Sequence, residues 1–328
     1  MSPAPTYVRG GVPERVLAGA AMIVGTSLTI QLAAAIAHDL FHRLGPAGTS
    51  ALRFTFGAVI LLAFLRPAFR GRDAATWRAI AAYGTTLAAL NLTFFQAISL
   101  IPMGIAVTLA FIAPLLLALA RSRRRRDIVW ALLAAAGVVT LGGVDRPGSL
   151  AGVVFAIGAG CAWVGVAYAA RSVGRRTRRI DGLALALPIA ALLTIPLGIA
   201  QAGALDLRAL AIGLLIAVGG LIIPFALELE GLRRLEPRTV AVIYSIDPAI
   251  AAVVGVLALR EHLNTFQIVA LVAVMTASAG ATTAAGTVEP EPSPPRRRRA
   301  VAASRESAGV SRRREGASKA TSRPAYRE

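Results

Sequence analysis

Few side chains in this sequence could do chemistry, and most of them stand inside apolar stretches. The segment IIPFALELEGLRRLEPRT, Ile222 to Thr239, carries two glutamates in an apolar run, Glu228 and Glu230, followed by Arg233 and Arg234. Two residues apart on a helix, the glutamates point about 200° from one another, so one cavity cannot receive both. Glu230 precedes Arg234 by four residues, the favourable order for a helical ion pair, and reads as a salt bridge at a helix end. Glu228 shares a face with Pro224 and lies about 7 Å deeper along the axis than Arg233. It is either an acid that snorkels to the surface or a cavity-facing carboxylate that binds an amine or a proton.

Asp247 is the second acid at depth, in the middle of an apolar run and beside Pro248. On insertion scales an aspartate there costs about 2.5–3.5 kcal/mol, so it should face water or a partner. Tyr244, three residues earlier, is the nearest candidate partner. Asp247 reads as a proton or amine carrier, against a plainer role as a buried structural hydrogen bond. Arg53 is either a snorkelling arginine near a helix end or a ligand for a substrate carboxylate. Gln31 and Asn91 are neutral hydrogen-bonding groups within apolar runs, either lining a site or joining helices at about 0.6 kcal/mol each. Phe94 and Phe95 read as packing or lipid-facing residues.

These residues need elements to hold them, and the composition says which. The chain of 328 residues is 56% hydrophobic and 16% charged, with a mean hydropathy of +0.65. A soluble domain needs more polar surface. Apolar stretches long enough to cross a hydrocarbon core of about 30 Å recur along it. The pattern predicts an all-α membrane protein with ten transmembrane helices: 17–37, 49–66, 77–98, 102–120, 128–144, 149–170, 182–201, 208–232, 238–259 and 264–283. Arg9 and Arg15 before the first run resemble a signal peptide, but the run is too long for one and more spans follow, so it reads as an uncleaved first helix.

The formal charge of +18 is largely a topology signal. Arginines crowd alternate connections: Arg66 to Arg78, Arg121 to Arg126, Arg171 to Arg179 and Arg233 to Arg238. The other connections hold only Arg43, Arg146, Arg208 and Arg260. This bias places both termini in the cytoplasm and leaves no case for nucleic acid. Residues 1–16 form a cytoplasmic N-terminus. Residues 284–328 combine prolines, small polar residues and arginine clusters, and read as a disordered cytoplasmic tail that can contact anionic lipid. Cys161, the single cysteine, excludes an internal disulfide and reads as a small packing residue. No zinc-binding HExxH, phosphate loop or nucleophile elbow is present, and His38, His42 and His262 fall at outer connections, so neither an enzyme nor a metal or cofactor is expected.

The chain also repeats itself. SLIPMGIAVTLAFIAPLLLALA and RRLEPRTVAVIYSIDPAIAAVVG each begin at a proline (Pro102, Pro237) and reach Ile-x-Pro (Pro114, Pro248), at an interval of roughly 134 residues. Five spans per repeat force the halves into opposite orientations, the usual construction of a secondary transporter around a midplane site. The repeats are 17–144 and 149–283. Pro114 and Pro248 predict helix breaks whose freed carbonyls either face a polar cavity or are covered by neighbouring helices. Gly152, Ala156 and Gly160 form a small-residue stripe that permits close helix approach, within the protomer or, less favoured, in a homodimer.

Three stretches, 29–67, 91–107 and 223–255, resemble the EamA-type transporters of the drug/metabolite transporter superfamily. The closest branch is that of the inner-membrane threonine and homoserine exporters. The resemblance covers about residues 17–283. It implies two inverted five-helix repeats around a central cavity, and proton-coupled export of small amino-acid-like metabolites from the cell by alternating access. The alternative within the same fold is a drug, metabolite or lipid translocator. Gln31, Arg53, Asn91, Pro102, Gly104 and Glu228 fall where the branch carries the same residue. Ala110 departs from it, standing where the branch has a glutamate.

The topology has a direct check. A reporter active only outside the cytoplasm, fused after Glu328, is expected to be silent. Strong activity would overturn both the topology and the repeat argument.

Overall fold

The structure, a computed structural model, describes residues 14–120, 149–177 and 179–285. The expected fifth span (128–144), the arginine run Arg121 to Arg126 and nearly all of the expected tail lie outside the described residues. Among the described residues every regular element is helical. The elements are α1 (Glu14–His38), α2 (Phe41–Leu65), α3 (Ala74–Ile98), α4 (Met103–Ala110), α5 (Ile112–Ala120), α6 (Ser149–Gly174) and α7 (Arg179–Gly198). After a 3-10 turn (Ile199–Ala204) come α8 (Leu207–Ala217), a π-helical segment (Val218–Ile222), α9 (Ile223–Arg234), α10 (Pro237–Tyr244), α11 (Asp247–Ala258) and α12 (Thr265–Ala285).

Among the described residues, five segments are long and apolar enough to cross a membrane: Glu14–His38, Phe41–Leu65, Leu150–Gly174, Ile180–Ala204 and Leu207–Arg234. The surface they present is apolar. On α1 the exposed side chains include Leu17, Val24, Leu28, Leu32 and Ile36, while Thr26, Ser27 and Gln31 are buried. A helix at the surface of a soluble protein does the reverse. Here lipid takes the apolar face and the polar groups turn inward, where they can find partners.

The expected spans differ from the structure where the backbone bends. The expected second span, 49–66, lies within α2, which is kinked: Gly45 is non-helical, with φ 65° and ψ 169°, a conformation that favours glycine, and the segment that carries Arg53 begins after it, at Pro46. The fourth and ninth spans are each broken in two. Their first halves, α4 and α10, are both eight residues long, and Pro114 and Pro248 fall just after the breaks. Each proline thus sits in the first turn of the next helix, where its missing N–H costs little. The eighth span carries the π-helical segment at Gly219 and Gly220, an irregularity often found at functional sites.

Glycines set the closest approaches. A Cβ on Gly104 of α4 would lie 2.8 Å from Cα of Ala252 on α11. One on Gly160 of α6 would collide with the Ala110 carbonyl, the group that an amide at residue 114 would have bonded. The stripe of Gly152, Ala156 and Gly160 therefore packs within the chain, Gly152 meeting Leu100 and Ile101. Cys161, expected as a packing residue, is instead exposed on α6. Glu261, in the turn after α11, accepts the Met103 N–H at 2.9 and 3.0 Å and so caps α4 from far along the chain. Burial pushes its carboxyl pKa up, and the Met103 N–H opposes that.

The helix pairing has a regular pattern. Helix α1 packs on α9, and α3 on α6; α2 packs on α8, and α3 on α7; α2 also meets α7, and α4 meets α11. Helices α3 and α8 both begin at a capping aspartate. Asp73 accepts the Thr76 N–H at 3.0 Å and Asp206 the Ala209 N–H at 2.8 Å. Two ion pairs tie the α1–α2 turn to the start of α8: Arg43–Asp206 at 2.8 Å and Arg208–Asp39 at 2.9 Å. The Arg43 guanidinium holds the Asp206 carboxyl below the usual carboxylate range.

Gly160→Ala is expected to destabilise the purified protein by about 1–3 kcal/mol, because it forces α6 off the Ala110 carbonyl. Gly203→Ala, where a Cβ meets nothing within 4 Å, is the matched control. Equal thermal midpoints for the two in detergent would contradict this packing.

Candidate functional site

A cavity of about 570 Å³ lies inside the described bundle. Gln31 of α1, Arg53 of α2, Asn91 of α3, Glu228 of α9, Tyr244 of α10 and Asp247 of α11 all line it. Pro114 lines it as well, whereas Pro248 is buried behind Asp247 and is not part of the wall. The cavity reaches the exposed end of α6 at Tyr168 and Arg171.

One side of the cavity is acidic. Asp247 is 7% exposed and accepts a hydrogen bond from the Ser27 hydroxyl. Tyr244 bonds Glu228, not Asp247 as its three-residue spacing suggested. The reason is the break after Tyr244: an i, i+3 relation holds only along a continuous helix. Glu228 is close enough to Asp247 for the two charges to interact. Glu230 points elsewhere and pairs with Arg233 at 3.3 Å and Arg234 at 2.8 Å. The two glutamates are thus separated as the helical geometry predicts.

Arg53 lines the same cavity from α2. It is 8% exposed, donates from Nη2 to the Gly220 carbonyl, and lies over the Phe95 ring at 5.5 Å from the centroid. The carbonyl belongs to the π-helical segment. Arg53 is buried in the bundle on the segment that follows the Gly45 kink, and its guanidinium does not reach an exposed surface. Among the described residues, Oδ1 of Asn91, Oε1 of Gln31 and Nε of Arg53 are buried with no hydrogen-bond partner. In a bundle where buried polar atoms are almost always satisfied, such groups mark a place for water or ligand.

The remaining wall is mostly apolar, with Phe94, Phe111 and Trp163 among its members. Phe111 meets Trp163 edge-on at 5.0 Å. Phe94, expected to pack or face lipid, therefore faces the cavity, and Phe95 is the packing residue. Sequence reasoning missed Ser27, Trp163 and Gly220. Ser27 had a signal, since it stands one helical turn before Gln31; Trp163 and Gly220 had none. Among the described residues no group of three His, Cys, Asp or Glu side chains could hold a metal.

Residues 150–283 match the model of the EamA-like transporter family. The threonine/homoserine exporter RhtA of Salmonella typhimurium strain LT2 is 38% identical over 260 residues, covering 77% of this chain and 88% of that protein. RhtA of Escherichia coli strain K12 is 37% identical over the same length. The chain belongs to the EamA-like transporter family. It stands near the RhtA branch, and as a member it is a multi-pass membrane transporter and not an enzyme. A solved crystal structure, 22% identical, superposes with a TM-score of 0.55 over 85% of this chain and 100% of that one, a likeness of fold alone.

Replacing the two glutamates should separate them. Glu228→Gln keeps size and hydrogen bonding but removes the charge facing the cavity, and is expected to depress transport or flatten its pH dependence. Glu230→Gln loses only its exposed ion pairs and should leave transport nearly normal. A vesicle transport series over pH, normalised to inserted protein, checks this. Equal mild effects would reduce both acids to helix-end markers.

Proposed function

We propose that this protein is an inner-membrane exporter of small amino acids or closely related metabolites, of the threonine and homoserine kind, working by alternating access and coupled to proton entry. The observation that carries the reading is the pair of cavity carboxylates, Asp247 and Glu228, one held by Ser27 and the other by Tyr244. Buried acids that face a cavity within a membrane bundle are suited to binding an ammonium group or a proton. Two acids close enough to interact can exchange those roles, since a charge on one disfavours a charge on the other. An ammonium entering between them would make it easier to keep both ionised. Its departure would favour proton uptake, which is how one site can exchange substrate for protons. The relatives' names, threonine/homoserine exporter, supply the substrate class.

The transport cycle rests on a ten-span, two-repeat architecture that we also propose, with repeats 17–144 and 149–283, both termini cytoplasmic and a disordered tail. Several features support it. The breaks after Ala110 and Tyr244, the capping aspartates Asp73 and Asp206, and the two eight-residue helices recur at equivalent places. The helix pairs also map onto one another when the halves are exchanged: α1 on α9 with α3 on α6, and α2 on α8 with α3 on α7. On the arginine-rich side the cavity reaches Arg171. The ion pairs Arg43–Asp206 and Arg208–Asp39 lie at the opposite connections, which suits an inward-facing conformation closed on the outside.

Inverted membrane vesicles carrying the protein are expected to accumulate labelled threonine or homoserine when a proton gradient is imposed. Asp247→Asn, which preserves the shape of the side chain, should lower that uptake at least about tenfold, the loss of one charge-assisted contact. Normal uptake by this variant would remove Asp247 from the mechanism.

A further inference from the structure

Arg53 is a buried positive charge that takes part in no ion pair among the described residues. A guanidinium is ionised at all accessible pH and offers five N–H donors. Here the structure gives one bond, from Nη2 to the Gly220 carbonyl, and a ring contact with Phe95. Nε is buried with no partner. No carboxylate among the described residues pairs with it; the ion pairs there join Arg43, Arg208, Arg233 and Arg234 to their own acids. An unpaired buried charge is costly to retain.

The setting is built to hold the group still. The Gly220 carbonyl comes from the π-helical segment, and a Cβ at Gly220 would lie 3.0 Å from Nη2 of Arg53. The absence of a side chain at that position is what lets the guanidinium reach the backbone. Gln31 and Asn91 line the same cavity, and each has a buried amide oxygen without a partner. A 180° turn of either amide would present N–H donors instead. The acids Asp247 and Glu228 line the same cavity.

We propose that Arg53 is the receptor for the carboxylate of a zwitterionic substrate, which enters with its carboxylate toward α2 and its ammonium toward Asp247 and Glu228. This inference rests on the amino-acid reading of the cavity and adds to it an orientation and a rule of selection. A planar guanidinium matches a carboxylate through paired N–H donors. A site that expects such a partner rejects the analogue lacking it, because its buried donors are then left unmade. The cavity should therefore distinguish amino acids from their amides, even though both carry the ammonium that the acidic side would bind.

The test uses the full-length protein, purified in detergent, and follows thermal stabilisation by the twenty amino acids and by their matched amides. A pH of about 6 keeps the ammonium of both series protonated. Threonine is expected to bind at least tenfold more tightly than threoninamide. Arg53→Gln should remove that discrimination by weakening threonine at least tenfold while moving threoninamide less than twofold. Arg53→Lys, which keeps the charge but loses the fork, should fall between. Equal binding of acid and amide by the unaltered protein would overturn the proposal, and this arm needs no variant to fold. So would Arg53→Gln weakening both ligands alike, which would make Arg53 a scaffold residue. Stabilisation by chloride that threonine fails to displace would assign Arg53 to an inorganic anion and also sink it. If another amino acid, but not threonine, shows the preference for acid over amide, Arg53 keeps its role and the threonine-type substrate is what fails. If no amino acid stabilises the protein, both readings fall.

Discussion

A buried carboxylate in a membrane bundle must have somewhere to put its charge, and the arrangement around Asp247 answers that requirement. The residue opens α11, immediately after the break that follows Tyr244. Ser27 donates to it from α1, and the cavity gives its remaining surface an aqueous or ligand environment. The break is part of the same solution. A continuous helix through residues 245–248 would have met Pro248 in its interior, with a lost hydrogen bond and a clash against the Tyr244 carbonyl. Ending α10 at Tyr244 removes the clash and turns the aspartate toward α1.

Close packing makes the polar centre tolerable. Hydrocarbon offers helices no hydrophobic reason to associate, so association depends on contact and on satisfied polar groups. Gly104 against Ala252 and Gly160 against Ala110 bring α4 near both α11 and α6. The walls of the cavity are thus fixed by backbone contacts instead of by long, mobile side chains. Glu261 adds a further tie by capping α4 across the chain. Among the buried polar side chains of the described residues, Ser27, Gln31, Arg53, Asn91 and Asp247 face one volume, while Thr49, Ser50, Thr108 and Thr194 bond carbonyls of their own helices.

Much of this was legible in the sequence, for reasons that differ from element to element. The all-helical class followed from apolar length, and the place of both breaks, within a few residues, from Pro114 and Pro248. The face of Glu228 followed from its angle to Glu230 and the i, i+4 relation to Arg234. Arg53 was harder. Its contacts, the Gly220 carbonyl and the Phe95 ring, come from other helices, where no spacing rule reaches. The Tyr244–Glu228 contact could not be read from spacing, because the intervening break cancels helical periodicity. Gly220 carried no signal at all: its role is to present a backbone carbonyl from a π-helical turn, and the sequence there is only another apolar run with glycines.

The cavity's mixture of groups also bears on how a carrier releases what it binds. Its walls are largely apolar, with Phe111 and Trp163 packed edge-on, and its polar groups stand at separate places and on different helices. A ligand held by several of them at once draws those helices together; without it, each falls back on an internal contact. Asp247 has Ser27, Glu228 has Tyr244, and Arg53 has the Gly220 carbonyl. The Ser27 and Gly220 contacts are neutral on one side, so they steady Asp247 and Arg53 without cancelling their charges. That leaves these two charges available to a stronger partner while limiting the cost of waiting for one. A site built from full ion pairs would need no ligand, and a site without such contacts would be hard to keep folded when empty. The observed arrangement lies between those limits, where binding and release can both occur.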